Sequence, residues 1–205
     1  MIENRWNGER ISIAPDSPVG LIQCHVARYV WAMHYCVEKT VLDVGCGTGY
    51  GTWLLGQIAD EVTGIDKSVE AIAEARRDFS GVFLHMDIES APKPVSWCFD
   101  TIVAFEVMEH LDDVDVGMEA VKYLLSDNGN ALISLPLHQP SKWHRFRDYG
   151  YAEWYDIVTR HFHIVSDGVF WQPIEEAVYR DGNVNIRKMP EDQAETGIVI
   201  VVLEK

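Results

Sequence analysis

Val41-Leu-Asp-Val-Gly-Cys-Gly-Thr-Gly-Tyr-Gly51 is an apolar run with one acid, Asp43, that enters a loop carrying glycines at 45, 47, 49 and 51. Trp53, Leu54, Leu55 and Ile58 follow at helical spacing, so the stretch reads as strand, tight turn and helix. Glycine admits positive φ and lets a ligand lie against bare peptide groups. The N-terminus of the following helix adds N–H donors with no partner inside the helix. A nucleotide-type ligand suits such a loop.

Two familiar glycine loops are excluded by counting. The dinucleotide fingerprint G-x-G-x-x-G needs a glycine at 50 or 52, where Tyr50 and Thr52 stand, and the P-loop pattern has no match in the chain. What remains, D-x-G-x-G-x-G, resembles motif I of the class I S-adenosylmethionine-dependent methyltransferases. The resemblance implies a Rossmann-like α/β fold: a seven-stranded, mostly parallel sheet with helices on both faces and the last strand antiparallel. It implies S-adenosyl-L-methionine as cofactor, and it places Asp43, Gly45, Cys46, Gly47 and Gly49 in the loop that wraps the methionine and ribose.

With 205 residues and 23.3 kDa the chain is long enough for one α/β domain and too short for two of ordinary size. No run of about 18 apolar residues is present to span a membrane. The first ten residues mix charges and lack the apolar core of a signal peptide, so a cytoplasmic location is expected. The four cysteines, at 24, 36, 46 and 98, form neither C-x-x-C pairs nor a disulfide framework. Cys46 reads as a small loop filler rather than a nucleophile. A formal charge of −15 opposes a large nucleic-acid footprint, which cationic side chains would have to supply.

Residues 1–39 precede the first strand, and within them Leu21, His25, Arg28 and Tyr29 share one face of a helix. They are expected to form a helical cap or lid on a methyltransferase domain spanning 40–205. The resemblance places Arg28 near the methionine carboxylate, with Tyr29 or His25 in the pocket wall. Glu61-Val-Thr-Gly-Ile-Asp66 reads as a second strand ending in an acid. Asp66 follows Gly47 by 19 residues, close to the separation of about 20 at which an acid reaches ribose hydroxyls. Lys67 stands beside it, and Ser68 is a candidate helix cap. Gly81 to Glu89 forms a third strand; the resemblance gives Asp87 the adenine amino group and Ile88 the ring face.

Cys98 to Val107 is a nearly continuous apolar run, suited to a strand buried on both faces. Glu106-Val-Met-Glu-His-Leu111 follows and resembles the E-x-x-E-H segment found after the fourth strand in many small-molecule and glycan methyltransferases. It places Glu106 beside the cofactor. The [DNS]-P-P-[YFW] signature of DNA amino methylation and the Pro-Cys nucleophile of cytosine C5 methylation are both absent from the sequence. A helix spaced by Val114, Met118, Val121 and Leu125, a turn at Asp127-Asn-Gly129, and a fifth strand from Asn130 to Leu135 come next. The stretch from Leu137 to Asp148 sets Lys142, Arg145 and Arg147 among aromatics and histidines, and it is the expected acceptor-facing loop. A helix from Gly150, a strand ending at Trp171, a long connection and a last strand from Thr196 to Leu203 complete the chain.

Transfer of a methyl group to a hydroxyl requires alignment, exclusion of water and a base. Imidazole titrates near neutrality, which makes His144 the first candidate base. His110 is the second, with Glu109 orienting it or acting itself. The family likeness, closest to small bacterial and phage enzymes, implies a sugar or other small polar hydroxyl as acceptor, without a metal. A homodimer is an open possibility. The alternatives are a metal-assisted RNA 2′-O-methyltransferase, a non-catalytic S-adenosylmethionine-binding module and a nicotinamide-dependent oxidoreductase.

Overall fold

Strands of apolar residues alternate with amphipathic helices, and that order dictates a sheet covered on both sides. The structure, a computed structural model, describes residues 19–91, 97–139, 149–172, 186–189 and 197–205. Its strands are β1 (Thr40–Val44), β2 (Glu61–Asp66), β3 (Val82–His85), β4 (Phe99–Phe105), β5 (Leu125–Leu137), β6 (His163–Gln172), β7 (Arg187–Lys188) and β8 (Gly197–Glu204). The helices are α1 (Val19–Ala32), α2 (Tyr50–Leu55), α3 (Val69–Asp78), α4 (Val114–Leu124) and α5 (Tyr151–His161).

The sheet order is β3-β2-β1-β4-β5-β8-β6-β7. β1 to β5 run parallel, and β8 inserts antiparallel between β5 and β6. β1 lies between β2 and β4, so the direction of winding reverses there and a crevice opens at the C-terminal strand ends.

Each strand divides its side chains between two layers, as the period of two demands. Leu42, Ile102, Ile133, Val199 and Val201 pack under α4 and α5, where Met118, Val121, Trp154 and Val158 are buried. Val41, Val103, Leu132, Ile198, Ile200 and Val202 face the opposite way, onto Tyr29 and Ala32 of α1 and onto Tyr50 and Leu55 of α2. Each such aliphatic side chain contributes about 1.5–3 kcal/mol on burial. The Trp154 indole donates a hydrogen bond of 2.8 Å to the Pro136 carbonyl, locking α5 onto β5.

Among the described residues the sheet has eight strands rather than the seven expected. The extra one, β7, has only two residues, both exposed, and no apolar alternation to announce it. It is held by Arg187 over the Trp171 ring and Lys188 over the Phe170 ring, at 4.8 and 4.5 Å from the centroids. The expected turn at Asp127-Asn-Gly129 is a bulge inside β5: Phe99 pairs with Leu125 and Thr101 with Asn130. α4 therefore ends at Leu124, one residue before the expected stripe. Among the described residues no helix is long and apolar enough to cross a membrane.

Candidate active site

The glycine loop leaves β1 with Gly45, Gly47 and Gly49 all at positive φ. At Gly45 a Cβ would meet Val107 Cγ2 at 2.5 Å, so a side chain there would collide with the end of β4. Gly51 is required by close approach instead, since a Cβ would lie 2.1 Å from the Tyr29 ring of α1. The first helix thus rests directly on the loop.

A crevice of about 240 Å³ opens above the strand ends, lined by Val44, Gly45, Gly47, Asp66, Lys67, Ser68, Asp87, Ile88, Glu106 and His110 among others. Asp66 ends β2, and both its carboxylate oxygens are held. Oδ2 accepts the Gly47 N–H at 2.9 Å and Oδ1 accepts the Ser68 N–H at 2.8 Å. A carboxylate oxygen has two lone pairs, so each keeps one for a further donor. One residue past Met86, Asp87 caps a one-turn 3-10 helix through Oδ1, which accepts the Glu89 N–H at 3.0 Å. Ile88 is buried beside it and gives the crevice an apolar floor.

At the β4 end, Glu106 sits at a φ of 56°, an uncommon backbone state for a non-glycine residue. Two bonds hold it there: its N–H donates to Ser134 Oγ at 2.8 Å, and Ser134 Oγ–H donates to its Oε1 at 2.9 Å. Val107, Met108, Glu109 and His110 then turn in a single 3-10 turn, which brings His110 to the crevice wall. Glu109 is fully buried, and neither of its carboxylate oxygens has a hydrogen-bond partner among the described residues. Burial, reinforced by the Glu106 charge, holds its carboxyl well above the ordinary range.

Other sequence-chosen residues stand behind the crevice rather than in its wall. Asp43 is fully buried and accepts the Thr52 hydroxyl at 2.6 Å and the Tyr29 hydroxyl at 3.1 Å. It fastens α1, β1 and α2 to one another. Cys46 packs against Gly64 of β2, and burial pushes its thiol up, consistent with a filler. Gly49 lies against Ala75 and Phe83. Arg28 is buried, its Nη1 donating to Gln172 Oε1 at 2.9 Å, while its Nε finds no partner among the described residues. His144 and the basic stretch 140–148 lie outside the described residues.

Sequence reasoning missed three contributors. Ser134 was legible as a lone hydroxyl in the apolar strand Ala131-Leu-Ile-Ser-Leu135, though its partner was not. Thr52 and Gln172 offered no local signal. Gln172 joins Arg28 across 144 positions, and its amide donates to the Cys24 carbonyl at 3.0 Å. Among the described residues no group of three or more histidine, cysteine or acidic side chains is arranged to hold a metal.

A probable S-adenosylmethionine-dependent methyltransferase of Mycolicibacterium smegmatis is 32% identical over 113 residues, 55% of this chain and 44% of that protein. The chain spans less than half the length of the first curated relatives it matches. The ubiquinone biosynthesis O-methyltransferase of Sodalis glossinidius is 25% identical over 74% of this chain and 71% of its own. Among solved structures, the N-methyltransferase NodS of Bradyrhizobium japonicum, in complex with S-adenosyl-L-homocysteine, superposes with a TM-score of 0.64 at 17% identity. It covers 92% of this chain and 88% of its own. The [4+2]-cyclase SpnF superposes equally well, with a TM-score of 0.64 at 17% identity over 89% of this chain and 81% of its own. At these identities the structures show the fold alone. The methyltransferase domain model matches residues 33–168, and with the glycine loop, the β2 acid and the winding reversal at β1 in place, the chain belongs to the class I S-adenosylmethionine-dependent methyltransferase family.

Proposed function

We propose that the protein transfers a methyl group from S-adenosylmethionine to a hydroxyl of a small polar acceptor, a sugar or a molecule of similar size. The observation that carries the reading is Asp66, whose two oxygens are fixed by backbone donors with one lone pair each to spare. Two adjacent ribose hydroxyls match that pair. Asp87 and Ile88, one strand further out, suit the adenine edge and face. Arg28, a residue of α1, has a buried Nε–H without a partner among the described residues, suited to a carboxylate, and α1 covers the loop as a cap.

When bound, the cofactor supplies an electrophilic methyl group on a sulfonium. The chain's own residues must bind, orient and take one proton. His110 lines the crevice beyond the β4 end, which supports it as the group that accepts the hydroxyl proton. His144, the other base chosen from sequence, is tested only by substitution. The O-methyltransferases among the relatives support a hydroxyl acceptor.

The test is calorimetric titration with S-adenosylmethionine, S-adenosylhomocysteine and NAD, using the wild type and Asp66→Ala. Binding of the first two, weakened at least about tenfold in the variant, is expected, because a charged hydrogen bond contributes about 1.5–3 kcal/mol. Labelled methyl donor with a panel of sugars, nucleotide sugars and phenols then identifies the acceptor. Absence of cofactor binding would overturn the reading. Cofactor binding without turnover on any acceptor, with an unchanged His110→Ala, would favour a binding module.

A further inference from the structure

Helix α4 carries a buried glycine, Gly117, in its first half. Glycine is a poor residue inside a helix, because it gives up the most backbone freedom and packs no side chain. Its N–H donates to the Asp113 carbonyl at 3.2 Å in regular helical fashion, so no unusual backbone angle calls for it. A neighbour does. A Cβ at 117 would stand 2.2 Å from Leu111 Cδ1 and 3.9 Å from Met108 Sδ. Apolar carbons ordinarily meet at about 3.5–4.0 Å. The leucine methyl therefore fills the space that a side chain at 117 would claim.

Leu111 lines the crevice, just past the 3-10 turn Met108–His110. Ile88 lines it too, and both belong to one buried apolar cluster. The turns that carry them are fastened together: Glu89, next to Ile88, accepts the N–H groups of Asp112 and Asp113, which follow Leu111. With the backbones so held, the room between the two apolar walls depends on how far the Leu111 side chain withdraws. It withdraws into the notch at Gly117. Met108, fully buried, closes the flank of that notch, and the crevice is the open side towards which a displaced Leu111 would turn.

We infer that Gly117, which does not itself line the crevice, is a positioning residue that sets the specificity of this site: by receiving Leu111 it keeps a slot beside Ile88 wide enough for a purine ring. The inference rests on the proposed cofactor site, in which Asp87 and Ile88 take the adenine. A side chain at 117 turns Leu111 into the slot and excludes a flat heteroaromatic ring, while Asp66 and the glycine loop keep their geometry.

The test is a double-mutant cycle read by calorimetry. S-adenosylhomocysteine and 5′-methylthioadenosine, which keeps base and ribose but lacks the amino-acid end, are titrated into the wild type, Gly117→Ala, Leu111→Ala and the double variant. Gly117→Ala is expected to weaken both ligands by the same factor, at least about tenfold, as a misfit of one methyl-sized group does in an apolar pocket. With the leucine side chain removed, the same substitution should change neither affinity by more than about twofold, because the two residues act as one unit. Unchanged affinity in Gly117→Ala, a loss confined to S-adenosylhomocysteine, or a loss that persists in the double variant overturns the inference and leaves the cofactor reading standing. Failure of the wild type to bind S-adenosylhomocysteine sinks the cofactor reading, and the inference with it. Should Gly117→Ala not fold, Leu111→Ala and the double variant decide. Affinities equal to each other and below that of the wild type are expected; a further loss in the double variant, or none in Leu111→Ala, overturns the inference.

Discussion

At the scale of single residues, the buried carboxyls of Asp43 and Glu109 and the partly exposed ones of Asp100 and Asp115 carry distinct burdens. Asp43 is desolvated, and although Thr52 and Tyr29 donate to it, burial prevails and its carboxyl is pushed up to about 7. An acid whose folded value exceeds its unfolded one, near 4, contributes stability that is full below pH 4 and lost as pH rises through about 7. Glu109 acts in the same sense, whereas Asp100, held down by Thr40, and Asp115, held down by His161, act in the opposite one. Subtracting the denaturation curves of Asp43→Asn from those of the wild type should therefore leave a slope between pH 4 and 7, of at most about 1.4 kcal/mol per unit. A flat difference would show that Asp43 does not titrate in that window. Gly51→Ala brings a methyl group into the Tyr29 ring, and a loss of about 1–3 kcal/mol is expected in chemical denaturation. These roles explain what the sequence disclosed. The glycine pattern and the acid at Asp66 were legible because a ligand-binding loop imposes fixed spacing. Asp43 was legible as part of the same motif, but its task, joining α1 to α2, depends on partners 14 and 9 positions away and could not be read locally.

At the scale of elements, the two sides of the crevice are tied by Glu89. Its Oε1 accepts the Asp113 N–H at 2.8 Å and its Oε2 the Asp112 N–H at 3.2 Å, so the turn after β3 grips the start of α4. Glu89→Ala should lower the melting temperature by about 2–4 °C, the shift that about 1 kcal/mol produces in a chain of this size. Saturating S-adenosylhomocysteine should recover part of it, and an unchanged melting curve would show that solvent replaces the carboxylate at no cost. α4 and α5 are joined through Asp115, which accepts from His161 Nε2 at 2.6 Å and pairs with Arg160 at 3.0 Å. That pair is half-exposed, so Asp115→Asn should cost less than about 1 kcal/mol in denaturant titrations. The parallel strands and α3, α4 and α5 were legible because buried stripes repeat at 2 or 3.6 residues. β7 and the β5 bulge were not, because a two-residue exposed strand and extra bulge residues follow no period.

At the scale of the whole molecule, a charge of −15 repels polyanions, and labelled RNA should show no binding at 0.15 M salt. Micromolar affinity with a steep salt dependence would reinstate an RNA acceptor. The position of β8 has a further consequence, for the order of assembly. β1 to β4 lie within residues 40–105 and pair with one another, whereas β8, which fills the gap between β5 and β6, comprises residues 197–204. On the ribosome, the strands that carry the crevice emerge early, while the edge of β5 stays unpaired until β8 has left the exit tunnel. The nascent chain thus passes through a stage with an open apolar edge, when it is most exposed to aggregation and most in need of a chaperone.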